Sequence, residues 1–222
     1  PDSIVFRCRS DEISFESFHK QVTIIAALLR EHGVKRGDRV GVMMHKSIES
    51  AIGVYATMTA GAAYVPIDPL TPRERLHFII NDCSLSAIFV DDTTAPKLAK
   101  VQTGNIKLII GGKPTDTSNT EYIEWSSAVT FPKQMNAHER SHEKDLAYVM
   151  YTSGSTGAPK GLMHTHHSGL TYARQAAKLY AISPGDRLGN HSALHFDMST
   201  LEYFAGPKYG ATSVIITEEY LK

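Results

Sequence analysis

In Tyr151-Thr152-Ser153-Gly154-Ser155-Thr156-Gly157-Ala158-Pro159-Lys160-Gly161, the six residues from Thr152 hold four hydroxyl side chains and two glycines, and a lysine follows. Phosphate oxygens bind where many donors converge at short range. Hydroxyls and main-chain N–H groups supply such donors, and glycine lets the backbone come close and adopt positive φ. Lys160 adds the charge that a polyphosphate pairs with. The spacing is not that of a Walker loop, because Gly154 and Gly157 are two residues apart and Gly161 follows Lys160. Nor is it a dinucleotide fingerprint. A flexible Ser/Gly linker is the competing reading. The apolar run Leu146–Tyr151 directly before the glycines and the single lysine after them argue against it.

The second constellation is His195-Phe196-Asp197-Met198-Ser199. Asp197 falls between a strand-like and a helix-like stretch, a place from which a side chain can face a pocket. A carboxylate taken out of water needs a cation or several donors, and an α-ammonium group would serve. The competing reading is a helix cap.

Three weaker signals carry less. His138-Glu139-Arg140-Ser141-His142 matches the H-E-x-x-H zinc string. That string works on a core-packed helix, whereas this one lies in a polar stretch with no third ligand nearby. The histidines His164, His166, His167, His191 and His195 crowd the second half of the chain but read as separate groups. Cys8 and Cys83 cannot build a disulfide framework or a cysteine-rich zinc module, and point to a reducing, cytoplasmic setting.

The elements that must hold these groups alternate. Phe15, Phe18, Val22, Ile25, Leu28 and Leu29 recur at helical spacing after Ser14, a candidate N-cap. Short apolar runs at 39–44, 63–66, 86–90, 108–110, 146–151, 187–193 and 212–216 read as strands. Helices are expected at 14–33, 47–59, after Pro72, at 168–180 and at 199–209. This predicts an α/β fold with mainly parallel sheets flanked by helices. The polar stretch 112–144 interrupts the alternation. It suggests a first lobe at 1–111, a connection at 112–144 and a second lobe at 145–222 carrying the glycine loop.

Composition narrows the function classes. The chain has 222 residues, with 23 Lys+Arg against 23 Asp+Glu. Such balance argues against a nucleic-acid partner. No apolar run approaches the roughly 20 residues that span a bilayer, so no membrane partner is expected. The opening Pro1-Asp2-Ser3 has neither an initiator Met nor a signal peptide, which suggests a piece of something longer.

Tyr151–Gly161 resembles the phosphate-binding signature of the adenylate-forming, or AMP-binding, enzymes: acyl-CoA synthetases, luciferases and the adenylation domains of nonribosomal peptide synthetases. Gly33–Val40 resembles the family's early turn into a strand. Ala60-Gly61-Ala62-Ala63-Tyr64-Val65-Pro66-Ile67-Asp68-Pro69 is similar to a core motif of the amino-acid-activating branch. The resemblance is weakest over 112–144.

It implies the N-terminal part of the large domain of such an enzyme. The implied activity is attack of a carboxylate, here an amino acid, on the α-phosphate of ATP with Mg2+. An acyl-adenylate and pyrophosphate result, and the acyl group passes to a thiol of coenzyme A or of a carrier protein's phosphopantetheine. Thr152, Ser153, Gly154, Ser155, Thr156, Gly157 and Lys160 would hold the nucleotide, with Thr156 and Lys160 in the catalytic role. His166 resembles a histidine that follows the lysine motif near the nucleotide, and His167 stands where the family often has Arg. Phe196-Asp197-Met198-Ser199 matches a Phe-Asp-x-Ser motif, which would make Phe196 and Asp197 substrate contacts. His195 departs from the small residue usual there. Two alternatives stay open: an acyl- or aryl-CoA synthetase, whose substrate gives Asp197 no partner, and a non-catalytic nucleotide-binding fragment. The family's ribose-binding residues, an Mg2+-binding acid and a late lysine lie further along, so the segment alone is expected to be inactive.

Overall fold

Residues 2–99, 101, 104–115, 120–133, 141–152 and 159–221 are described in a computed structural model of the chain. In order along the chain they form β1 (Ile4–Cys8), β2 (Asp11–Ser14), α1 (Phe15–Glu31), β3 (Arg39–Met43), α2 (Ile48–Thr59), β4 (Ala63–Pro66), α3 (Arg73–Asp82), β5 (Ala87–Val90) and α4 (Ala95–Leu98). There follow β6 (Leu108–Gly111), β7 (Glu121–Glu124), α5 (Trp125–Ala128), β8 (Leu146–Thr152), β9 (Lys160–Thr165), α6 (His166–Leu179), β10 (Arg187–Asn190), α7 (Gly206–Lys208) and β11 (Thr212–Ile215).

Two sheets result. One has seven strands in the order β7-β6-β5-β3-β4-β8-β9, and the other has four, in the order β10-β11-β1-β2. All neighbours in the large sheet are parallel except β8 and β9. The strands β4, β5 and β6 are buried along their whole length, and β3 nearly so. That is why they read as unbroken apolar runs rather than alternations. Caps agree with the sequence. Ser14 Oγ accepts from the Ser17 N–H at 3.2 Å, and Ser47 forms a capping box with Ser50. Gly111 ends β6 at φ +116°, where an added Cβ would lie 2.1 Å from the Val90 carbonyl oxygen. Only glycine fits there.

The expected lobes do not match the division of the sheets. β8 and β9, from 145–222, join the large sheet through the Tyr64↔Tyr148 pairing, and the two rings stack at 5.3 Å. β1 and β2, from the start of the chain, join β10 and β11 instead. β7 lies inside the supposed connection and extends the large sheet beside β6. Periodicity identifies strands but not their partners, so a polar connection at 112–144 gives no sign that β7 pairs with β6. Between the sheets, α2 packs on β3 and β4 and also on β1. Phe6 of β1 meets Phe18 at 5.1 Å and Tyr203 at 5.7 Å in one shared core.

Two further expectations change. The helix expected at 199–209 is broken into a 3-10 turn at Asp197–Ser199, a π turn at Leu201–Ala205 and the single turn α7. Pro207 has no N–H for a continuous ladder, which accounts for the break at its end. The strand expected at 187–193 stops at Asn190.

Candidate functional site

Because β3, β4, β5 and β8 are parallel, their C-terminal ends at Met43, Pro66, Val90 and Thr152 lie along one edge of the large sheet. In open α/β sheets that edge is where ligands bind. The glycine loop leaves it from Thr152, and β9 returns with Lys160 directly opposite Thr152. Both residues are exposed. Ser153, Gly154, Ser155, Thr156 and Gly157 lie outside the described residues. The pair Thr152 and Lys160 thus marks the mouth of the loop, with one hydroxyl and one ammonium at its two ends.

The strand entering this mouth is anchored by a side chain that motif reading passed over. The Tyr151 hydroxyl donates to Asp82 Oδ2 at the end of α3 and lies 3.2 Å from Cys83 Sγ. Phe78 meets its ring edge-on at 6.4 Å. Burial and the bond to Asp82 push the Tyr151 hydroxyl far above its ordinary range, so it stays a neutral donor. Asp82 and Tyr151 are 69 residues apart, and no local signal pairs them.

Asp197 opens the 3-10 turn and is exposed, between Phe196 (58% exposed) and Met198 (62%). Among the described residues none donates a hydrogen bond to its carboxylate. The turn is closed instead by Ser199 Oγ, which donates to the Phe196 carbonyl at 2.7 Å, and by Thr200 Oγ1, which donates to the Asp197 carbonyl at 2.6 Å. A capping role for the Asp197 side chain is therefore not what the geometry displays. Its neighbours include Tyr148 and Tyr172. Burial, with Asp197 second, raises the Tyr148 hydroxyl to about 12. Burial likewise raises Tyr172, with Glu202, Tyr180 and Asp197 adding to it. Tyr148 also stacks on His164 at 4.5 Å with planes 11° apart. Asp197 is thus within electrostatic reach of Tyr148 on β8, the strand that ends at the glycine loop, and of Tyr172 on α6.

His166 does not sit with these groups. β9 runs from Lys160 at the loop to Thr165 opposite Leu146, so His166 begins α6 at the far end of the hairpin. Six strand residues span about 20 Å, which removes His166 from the neighbourhood of the loop. Its N–H bonds the Asp145 carbonyl at 3.0 Å, and its buried Nε2 has no partner among the described residues. Burial lowers its pKa, with Asp145 acting in the opposite sense. It lines a largely apolar cavity of about 590 Å³ with Phe18, Val22, Tyr55 and Phe204, away from the loop. His167 instead pairs with Glu143 at 3.0 Å on the surface.

Of the zinc string, His138, Glu139 and Arg140 lie outside the described residues, and the His142 N–H binds Asp145 Oδ2 at 2.8 Å. Among the described residues no three His, Cys, Asp or Glu side chains converge as a metal site. The described part of the edge therefore offers no all-protein cage. A Mg2+ ion carried on nucleotide phosphates needs only one or two carboxylates. Cys8 and Cys83 are buried, and burial raises both thiols, which suits structural rather than reactive cysteines.

A family model described as AMP-binding enzyme matches residues 1–221. The chain belongs to the AMP-binding enzyme family. Among its curated relatives is an L-proline--[L-prolyl-carrier protein] ligase of Pseudomonas fluorescens, 31% identical over 94% of this chain and 41% of the relative. Tyrocidine synthase 1 of Brevibacillus parabrevis is 30% identical over 99% of this chain but 19% of its own length. Surfactin synthase subunit 2 of Bacillus subtilis is 30% identical over all of this chain and 6% of its own length. The AMP-binding chain thus spans less than half of each of these relatives. Among solved structures, the AMPPNP-bound nonribosomal peptide synthetase FmoA3 superposes with a TM-score of 0.79 at 27% identity, over 97% of this chain and 21% of that one. Apo MatB from Rhodopseudomonas palustris superposes at 0.83 with 19% identity, over 97% of this chain and 42% of that one, a likeness of fold alone. Among the described residues no helix is long and apolar enough to cross a membrane.

Proposed function

We propose that the protein activates an amino acid as its acyl-adenylate and then passes the acyl group to a thiol. The observation that carries this reading is Asp197: an exposed carboxylate in a Phe-Asp-x-Ser turn, without a donor from any described residue, within electrostatic reach of Tyr148 on the strand that enters the glycine loop. An amino acid's ammonium is the cation that such a carboxylate binds, and Phe196 would cover its apolar side. The relatives named for amino-acid or peptide products support the same class.

In the first step a substrate carboxylate oxygen attacks the α-phosphorus of ATP. The bond to the bridging oxygen breaks and pyrophosphate leaves with the electron pair. Thr152, Ser153, Gly154, Ser155, Thr156, Gly157 and Lys160 bind the phosphates, and Thr156 and Lys160 meet the charge that grows on them. Mg2+ would supply further charge neutralisation on the phosphates. In the second step a thiolate attacks the acyl carbon and AMP leaves. A carrier protein's phosphopantetheine is the acceptor most in keeping with the ligase relative, and coenzyme A is the other. A cytoplasmic setting, where both thiols are present, belongs to this proposal.

The test is ATP–pyrophosphate exchange with the full polypeptide that carries this segment, against amino acids and their des-amino analogues. Exchange driven by one or a few amino acids and not by the analogues is expected. Exchange driven equally by simple acids would remove Asp197 from the site and favour the acyl-CoA synthetase reading.

A further inference from the structure

Residues 191–197 connect β10 to the Asp197 turn, and the C-terminal edge of the large sheet holds this connection at two points. The first is Lys46, just beyond β3. It is 3% exposed, and its ammonium donates to the carbonyls of Asn190 at 3.1 Å and His191 at 2.9 Å. A lysine that only covers apolar surface turns its head out to water. This one is buried with its charge set on two main-chain carbonyls 144 and 145 residues away. Burial lowers its pKa, opposed by Glu218 and Glu202, neither of which forms a salt bridge with it. Asn190 in turn donates to the Glu202 carboxylate at 3.1 Å, which fixes the strand end from its other side.

The second point is Asp68, just beyond β4. Its carboxylate faces His195 Nε2 at 3.8 Å, a contact outside hydrogen-bond distance and weaker than the one at Lys46, and the His195 ring packs on Phe196 at 4.5 Å. The two anchors therefore come from adjacent strands, β3 and β4, and β4 is the neighbour of β8. The C-terminal end of β8, on this same edge, is the mouth of the glycine loop. One edge thus sets both where Asp197 stands and where the phosphates would lie.

We propose that Lys46, with Asp68 at the second anchor, is a positioning residue for substrate recognition: it fixes segment 191–197 so that Asp197 meets the substrate ammonium at a set distance from the phosphate loop. This rests on the reading of Asp197 given above. Neither residue touches substrate; both act through the segment they hold. A buried lysine with two carbonyl acceptors tolerates a guanidinium better than an apolar chain, because the acceptors still find donors.

The test uses the full polypeptide, with an amino acid and its des-amino analogue in ATP–pyrophosphate exchange. Lys46→Met should raise the amino-acid KM, by up to about 10²-fold, the loss that a 1 Å misplacement can cause. The ATP KM should stay within about twofold, since that change removes no phosphate contact. The preference for the amino acid over its analogue should shrink, and Lys46→Arg should restore most of it. Asp68→Asn, at a partly exposed carboxylate, should shift the amino-acid KM in the same direction. A variant that lowers thermal stability while leaving the amino-acid KM unchanged, or that raises both KM values together, overturns the proposal. Should Lys46→Met fail to fold, Asp68→Asn decides: an unchanged amino-acid KM there is a refutation. Asp197→Ala separates the two levels. If it abolishes the amino-acid preference while the Lys46 and Asp68 variants keep it, only the positioning role falls. If it leaves the preference intact, the reading of Asp197 falls with it.

Discussion

Asp197 and Lys160 make opposite demands of a substrate, and each can be tested by removing one side chain. Asp197 is exposed in the structure, so replacing it with Ala leaves no buried charge unpaired and little stability should be lost. Once an amino acid occupies the site the pair is at least partly desolvated, and losing one partner costs roughly 3–5 kcal/mol. Asp197→Ala is expected to slow exchange with an amino acid by about two to three powers of ten, at 1.4 kcal/mol per tenfold. Its effect on the des-amino analogue should be small, so the ratio of the two rates is the measurement. Equal losses on both substrates would count against an ammonium partner. Lys160→Ala and Thr156→Ala remove donors from the phosphates, for which losses of about 10²–10³ in the rate of adenylate formation are typical. Lys160 is exposed beside the loop mouth, so its loss should leave the melting temperature nearly unchanged. Single-turnover adenylation at the parental rate in both variants would remove the loop from catalysis.

At the scale of elements, the junction of β3, β5 and α4 shows how a carboxylate can stabilise a sheet edge. The His45 N–H and Nδ1–H both donate to Asp91 Oδ2 at 2.8 Å, and Thr93 Oγ1 donates to Oδ1 at 2.6 Å. Burial alone would raise the pKa of Asp91; the bonds from Thr93, His45 and Thr94 outweigh it and hold the carboxyl at about 2. A folded pKa below the unfolded value means stability that is present above about pH 4 and lost as pH falls towards 2. With the partial exposure of the site discounted, the contribution is on the order of 1–2 kcal/mol. Asp91→Asn should therefore lower stability at pH 7 by about that amount and flatten the acid limb of the stability curve between pH 4 and 2. Urea midpoints across that range check it, and parallel curves for parent and variant would contradict it. The same elements mark what the sequence reveals. Val40–Met43, Ile88–Val90 and Leu108–Ile110 are legible because strands covered on both faces are apolar throughout, and α1 and α2 because Ser14 and Ser47 cap a helical period. β9 was hidden because the edge strand Lys160–Thr165 is exposed on most of its length and carries no clean alternation. β7 was hidden by its outward-facing Glu121 and Glu124. The glycine loop and Asp197 were legible from residue type. The displacement of His166 was not, because it depends on β9 being a strand that carries the chain away from the loop.

For the whole molecule, the decisive fact is that sequence order and sheet membership cross. β1 enters the four-stranded sheet between β2 and β11, and Thr212 Oγ1 donates to the Ile4 carbonyl at 2.8 Å. β8 and β9 enter the seven-stranded sheet beside β4. Phe6 and Tyr203, nearly 200 residues apart along the chain, share the core between the sheets at 5.7 Å. Burial of side chains of this size is worth about 1.5–3 kcal/mol each, and it is shared between the two halves of the sequence. A surface pair, Arg36 with Asp145, adds a bidentate contact at 2.7 and 2.8 Å between the halves, but an exposed, solvent-screened pair contributes little. Cutting the chain between Pro132 and Lys133, at an inserted protease site, should therefore leave the two pieces associated. They are expected to co-elute on gel filtration under native conditions, to stay together in 1 M NaCl because apolar burial and sheet pairing dominate over ion pairs, and to part only in denaturant. Two lobes joined by a linker would instead separate as soon as the linker was cut, each keeping its own circular dichroism spectrum. That outcome would mean that the crossing of β1 and β8 between sheets does not hold the molecule together.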